Sequence, residues 1–316
     1  MAANRSNPIG KGQFGTVYRP ALRCTRAMSA KVPYVSKVMS ASSADKELTT
    51  YKNIRVSDID KAHKYYPGQP EECIPSDVKL YKENVTNYGE PYYTDINGNE
   101  YDQEPDIKVL NYRDGGDSLK RVLVDFKASR PTPAELRYFL YDLRNIFEAV
   151  DVFNGNGIYH CDINLNNIVY SRDHGMRLID FGVAQRWPQQ KDIDIFKGTY
   201  WPWPIEMHLL DGKSRLTMKD YHDYKMDELV ALPTERDLAT INSLSPEDIL
   251  KKIDVWDLGV VLLYLMHLLW KLQNLRSVLS KVQTLALRLL DVNPARRPDA
   301  HETLKLYDAL LDDIRH

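Results

Sequence analysis

HCDINLNNIVY at residues 160–170, followed by LIDFG at 178–182, decides how the rest of the chain is read. Asp162 and Asn167 lie five residues apart in a run of short polar residues, which favours a loop over a helix. Ile168-Val169-Tyr170 reads as a short strand, and the acidic turn at Asp180 closes on Gly182. Magnesium takes oxygen ligands, commonly one or two carboxylates together with the phosphates of a substrate. Asn167 and Asp180 offer oxygens of that kind, and Asp162 is a second acid free to accept a proton. Asp and Asn are also the ordinary caps of loops, so these residues point to phosphoryl chemistry only if the remaining chain supplies a phosphate site.

The composition sets the frame. A chain of 316 residues, 43% hydrophobic and 27% charged, fits one two-lobed unit or two domains with a sizeable core. A net charge of −2 supplies no global basic field, so nucleic acid is not expected as a partner, and binding to it or to an anionic membrane would need a local patch. The three cysteines, Cys24, Cys73 and Cys161, lack metal-ligand spacing and are odd in number, so reduced thiols in a cytosol-like compartment are expected. MAANRSNPIG at the start has no apolar core, so no signal peptide is expected. The most apolar run, GVVLLYLMHLLW at 259–270, is too short for a bilayer and reads as a buried helix.

GKGQFGTVYR at 10–19 places glycines at 10, 12 and 15 ahead of an alternating strand pattern. Glycine lets backbone approach a phosphate closely, and here the glycines lead into a strand rather than a helix. MSAKVPYV follows, with Lys31 in an apolar stretch where a lysine needs an anionic partner. SSADKELTTYKNI at 42–54 combines serine capping signals with helix formers and carries Glu47.

These stretches resemble a eukaryotic-type protein kinase, over roughly residues 10–53, 106–206 and 253–308. The implied fold is α+β and two-lobed: a small β-rich N-lobe at 1–112 with an insertion at about 55–105, and a larger, mainly helical C-lobe at 113–316 with an insertion at about 207–252. The resemblance implies ATP as cofactor, with Mg2+ or alternatively Mn2+. Gly10, Lys11, Gly12, Gln13, Phe14 and Gly15 would cover the phosphates, and Val17, Ala30 and Val169 would line the adenine. Lys31 would hold the α- and β-phosphates and pair with Glu47. Leu110 would be the gatekeeper, Asn111 and Tyr112 the hinge, and Asp117 a ribose contact or a helix cap. Asp162 would accept the substrate proton, Asn167 and Asp180 would ligate the metal, and Thr199 would bond Asp162. Within KGTYWPWPIE, Glu206 takes the place of the family's terminal glutamate, in preference to Glu247, with Arg297 as its partner. KIDVWDLGVV matches the family's helix F, whose Asp254 would hold the catalytic loop from beneath.

Local patterns add three elements. TPAELRYFLYDLRNIFEAVDVFNGNGI at 132–158 reads as a helix with a Thr cap, a first-turn Pro and an Asn-Gly ending. TDINGNEYD carries an Asn-Gly turn between strand formers and reads as a hairpin. The long insertions read as surface elaborations, with a docking partner there as the alternative.

Two positions depart from the family. Cys161 replaces the arginine before the catalytic Asp, and Asn164 replaces the lysine two residues beyond it. An amide can donate a hydrogen bond, but a preorganised cation is worth more beside a developing negative charge, so modest turnover is expected, or a substitute such as Lys197, Lys11 or Arg186. Between Gly182 and Lys197 there is no Ser, Thr or Tyr, while Asp192 and Asp194 are already acidic. The implied function is therefore phosphorylation of serine or threonine in protein substrates without activation-segment phosphorylation. The alternatives are a pseudokinase acting through partners, or a small-molecule kinase of related fold. The compressed elements and the YWPWPIE closing resemble kinases of large DNA viruses, so the expected compartment is cytoplasm, or host cytoplasm for a viral chain.

Overall fold

The computed structural model describes residues 6–12, 15–26, 32–76, 93–94, 100–101, 107–188, 203–223 and 231–315. Two compact units divide the chain, Met1–Lys52 with Pro67–Asp114, and Asn53–Tyr66 with Gly115–His316.

In the first unit, β1 (Asn7–Gly12) and β2 (Gly15–Arg19) form an antiparallel hairpin in which Gly12 faces Gly15. Strand β3 (Tyr34–Ser40) runs directly into helix α1 (Ala41–Ile54), where the Ser40 hydroxyl accepts the Ser43 N–H at 3.2 Å. Helix α2 (Val56–Ile59) belongs to the second unit. Strands β4 (Glu71–Cys73), β5 (Tyr93–Thr94), β6 (Glu100–Tyr101) and β7 (Ile107–Arg113) follow. The main sheet has the order β1-β2-β3-β7-β4, and β5 pairs with β6 antiparallel, the hairpin expected around the Asn-Gly turn.

Strand alternation sorts β3 and β7 onto two faces. Val38 and Val109 lie opposite each other and pack with Tyr18 and Cys73, whereas Met39 and Leu110 pack with Ala44 of α1. On the first face the Ser36 hydroxyl donates to the Asn111 side-chain Oδ1 at 2.5 Å. Gly15 is required by this packing, because a Cβ there would lie 2.4 Å from the Val38 carbonyl oxygen.

The second unit opens with β8 (Asp117–Ser118), α3 (Leu119–Ala128) and α4 (Pro133–Gly155). Thr132 and Glu135 form a capping box at the start of α4, which buries Leu136, Leu140, Leu143, Phe147 and Val150 at helical spacing. Then come β9 (Ile158–Tyr159), β10 (Ile168–Ser171), β11 (Gly175–Leu178) and β12 (Gln185–Arg186). A 3-10 segment (Ile205–Asp211) precedes α5 (Met218–Asp223), α6 (Glu235–Ile241), α7 (Pro246–Leu269), α8 (Arg276–Leu289) and α9 (Ala300–Asp313). Helix α7 contains the apolar run 259–270 up to Leu269 and is buried on nearly every side. Among the described residues no helix is long and apolar enough to cross a membrane.

Three expectations need correction. Residues 53–66 belong to the second unit because Asp60 gathers the N–H groups of Lys64, Tyr65 and Tyr66, while the Tyr65 carbonyl accepts the Leu178 N–H at 2.8 Å. The stretch expected as an insertion from residue 55 thus begins with α2 of the second unit and with β4 of the main sheet. The lobe boundary falls after Asp114 rather than Tyr112, since β7 continues through Arg113. Finally, Cys24 and Cys73 form a disulfide rather than two free thiols. They meet because Cys24 bridges to Pro75 beside β4, whereas Cys161 is free and buried.

Candidate active site

The loop after β9 is held from below by two aspartates of α7. Asp254 accepts the backbone N–H groups of His160 and Cys161, at 2.9 and 2.8 Å, and Asp257 accepts that of Ile163 at 2.9 Å. Both carboxylates are buried. Burial pushes the Asp254 carboxyl up to about 6 against the pull of its two N–H donors, and burial and then the charge of Asp254 hold Asp257 well above the usual carboxylate range. Asp254 fulfils its expected role; Asp257 was legible only as the second acid of the same Asp-x-Trp-Asp run.

This frame presents Asp162 between two amides. Asn164 Nδ2 donates to Asp162 Oδ1 at 3.0 Å, and Asn167 Nδ2 donates to Oδ2 at 2.7 Å. Asn164 also accepts the Asn166 N–H at 2.9 Å, so its side chain is folded back onto the loop. Burial, and then the charge of Asp180, push the Asp162 carboxyl up to about 7, against hydrogen bonds from Asn164, Asn167 and the Trp203 side chain. Asp180 has φ 62°, a left-handed backbone uncommon outside glycine, as does Cys161. Phe181 next to it is buried against His160, Tyr66 and Phe153. His160 is buried, its Nε2 lies 3.0 Å from the Ile179 carbonyl, and burial pushes the ring down to about 4.

In the first unit the ion pair of Glu47 is made with Lys37. Lys37 Nζ lies 2.9 Å from Glu47 Oε2, and both residues are buried. Lys31 and Ala30, and with them the expected Lys31–Glu47 pair, lie outside the described residues; among the described residues the lysine on Glu47 is Lys37. The signal was present in the sequence: YVSKVMS has strand alternation and β-branched residues, and Lys37 is its inward lysine. The preceding alanine and the apolar setting favour Lys31 in the sequence, whereas β3 itself carries Lys37 and passes directly into α1.

The expected hinge also shifts. Leu110 is buried opposite Lys37 in register. Asn111 is flanked by β3 and β4 with its side chain buried, so it offers no free strand edge. Tyr112 lies inside β7, and its hydroxyl donates to Glu47 Oε1. A linker therefore begins only at Asp114, and Gly116 lets it pass close to β10: a Cβ there would lie 1.9 Å from the Tyr170 carbonyl oxygen.

Of the remaining positions, Gly10 and the backbone of Lys11 and Gly12 lie in β1, and Val17 faces Lys37 in register. Gln13, Phe14, Thr199 and Lys197 lie outside the described residues. Asp117 pairs with Tyr170 in the small sheet, and the cap of α3 is Ser118 rather than Asp117. Val169 is buried in β10. Arg186, a suggested replacement cation, donates instead to the Ile54 carbonyl at 2.7 Å. Glu206 forms a buried ion pair with Arg297, whereas Glu247 pairs with Lys251 at the surface; this settles the choice of terminal glutamate.

The donor set suits a hard divalent cation held partly by a substrate. Asn167 spends its amide nitrogen on Asp162, which leaves its oxygen to offer, and Asp180 adds a carboxylate. Among the described residues no group of three or more His, Cys, Asp or Glu forms an all-protein cage, and a phosphate-bridged Mg2+ does not need one.

The sheet-and-helix unit with its buried Lys-Glu pair, and the loop of Asp162, Asn167 and Asp180 on α7, define a protein kinase; the protein kinase domain family matches residues 3–207, and the chain belongs to it. It is similar to the serine/threonine-protein kinase ppk34 of Schizosaccharomyces pombe, with 27% identity over 209 residues, 61% of this chain. The matched region covers 55% of that protein, so the chain spans about half the length of this curated relative.

Proposed function

We propose that the chain is an active ATP-dependent kinase that phosphorylates serine or threonine hydroxyls of protein substrates, and that it does so without phosphorylation of its activation segment. The observation that carries this reading is the bracketing of Asp162: each carboxylate oxygen accepts an amide hydrogen, which fixes the group in a loop anchored by two buried aspartates. Asp162 orients the acceptor hydroxyl and takes its proton as that oxygen forms a bond to the γ-phosphorus, and the bond from the γ-phosphorus to the β–γ bridging oxygen breaks to release ADP. Lys37, held by Glu47, is the cation available to the α- and β-phosphates. Asn167 and Asp180 would hold Mg2+, which when bound neutralises charge on the phosphates. The similarity to a serine/threonine kinase supports the acceptor type.

A pseudokinase reading draws on one observation: Asn164 stands where the family has a lysine, and its amide is committed to Asp162 and Asn166. Labelled ATP with generic protein substrates separates the two, with phosphoamino-acid analysis of the product and Asp162→Asn as control. Phosphoserine or phosphothreonine from phosphatase-treated wild type, lost in the variant, is the expected result. Incorporation that appears only after treatment by an upstream kinase would overturn the independence from phosphorylation, and no incorporation at all would overturn the kinase activity.

A further inference from the structure

Among the described residues the carboxylate of Glu47 has two donors, and they come from different strands. Lys37 of β3 occupies Oε2, and the Tyr112 hydroxyl of β7 occupies Oε1. The arrangement follows from register. Lys37 stands opposite Leu110 and Val35 opposite Tyr112, so Lys37, Leu110 and Tyr112 share the sheet face that looks toward α1. Tyr112 packs against the Met39, Ala44 and Leu110 cluster, which aims its hydroxyl at the helix residue one turn away from that contact. A carboxylate bound by lysine alone can rotate about its terminal torsion, which is broad and roughly two-fold. A second donor on the other oxygen removes that freedom and so limits where the lysine nitrogen can sit.

We infer that Tyr112 is a positioning residue for nucleotide binding: its hydroxyl locks Glu47 so that the Lys37 ammonium is held ready for the phosphates of ATP. This rests on the nucleotide-binding part of the proposed function. Hydrogen bonds to a charged group are among the stronger ones, so removing the hydroxyl weakens ATP binding about tenfold.

The test is Tyr112→Phe in the full chain, with Glu47→Gln and the double variant. A fluorescent ATP analogue reports the dissociation constant, and kinase assays report KM for ATP and kcat. Urea unfolding of the four proteins reports whether the two side chains are coupled. The expected result is coupling in the unfolding cycle, a dissociation constant and KM raised about tenfold in Tyr112→Phe with kcat changed less than threefold, and little further loss when Glu47→Gln is already present. Coupling with unchanged nucleotide binding makes Tyr112 merely structural and overturns the inference; so does an absence of coupling. If Tyr112→Phe does not fold, Tyr112→Met, which fills apolar space without a donor, carries the same expectation. Wild type that binds ATP yet transfers no phosphate removes the catalytic reading alone, because the binding arm still decides the role of Tyr112. Wild type that binds no ATP overturns both.

Discussion

Arg297 and Glu206 stand 91 residues apart in the chain and form an ion pair in which neither side chain exceeds 1% exposure. Arg297 also lies over the Trp256 ring, 4.5 Å from its centroid, and its Nε donates to the Asp291 carbonyl at 2.6 Å. The pair therefore ties the 3-10 segment to α7 and to the loop before α9. Removing one partner leaves a buried charge uncompensated, which costs about 3–5 kcal/mol, whereas apolar replacement of both partners is far less costly. Glu206→Gln and Arg297→Met should each lower the urea midpoint strongly. The double replacement Glu206→Leu with Arg297→Met should recover much of the loss, and a simple sum of single effects would contradict this picture.

Lys37 and Lys31 make opposite predictions. Lys37→Met removes the partner of a buried carboxylate and should abolish detectable ATP binding and phosphoryl transfer. Lys31→Met should leave ATP affinity within about threefold of wild type, since the Glu47 carboxylate is already occupied by Lys37 and Tyr112. Nucleotide titration of the two variants decides between them.

Asn164→Lys sets two effects against each other. The lysine restores a cation beside the transferred phosphate, an electrostatic contribution that commonly exceeds 2 kcal/mol. It also removes the acceptor for the Asn166 N–H, a neutral hydrogen bond worth about 1 kcal/mol, and the amide donor to Asp162 Oδ1, which the lysine ammonium must replace. The larger effect should prevail, giving a kcat raised about tenfold together with a slightly lower Tm. An unchanged or reduced kcat in steady-state assays would count against the missing cation as a limit on turnover.

Two buried groups, His160 in the loop after β9 and Asp254 beneath it on α7, respond to acid in opposite senses. His160 is held down to about 4, below its unfolded value near 6.5, so the unfolded chain binds the extra proton and stability is lost as pH falls through that window. Asp254 is raised to about 6, above its unfolded value near 3.9, so the folded chain binds the extra proton and stability is gained as pH falls from 6 toward 4. Each effect amounts to about 3 kcal/mol, and they largely offset. Relative to wild type, His160→Gln should therefore gain about 3 kcal/mol between pH 7 and pH 4, and Asp254→Asn should lose a similar amount. Urea unfolding across that range checks both signs.

The cysteines give a chemical readout. Alkylation of the denatured, unreduced protein should modify Cys161 alone, and reduction beforehand should expose Cys24 and Cys73 as well. Intact-mass measurement distinguishes one added group from three; three without reduction would exclude the disulfide.

Much of the second unit was open to reading along the chain because its signals are local. The cap and apolar spacing of α4, the loop spacing from Asp162 to Asn167, and the acid at the mouth of α7 each declare themselves within a few residues. Glu206 and Arg297 were also matched correctly, because each stands in a motif with its own order and spacing. The first unit was harder. Two lysines six residues apart sit in comparable apolar settings, and nothing local says which one faces Glu47.

By itself the sequence determined the family and the order of its motifs, and it singled out Asp162, Asn167 and Asp180 as the candidate site, since residue type and spacing are properties of the chain alone. Tertiary structure decided that Lys37 pairs with Glu47, that Tyr112 shares the carboxylate, that Asn164 folds onto Asp162, and that Cys24 meets Cys73. Strand register is the reason: a shift of one residue turns a side chain to the other face of a sheet, and register is set by pairing between strands that lie far apart in the chain.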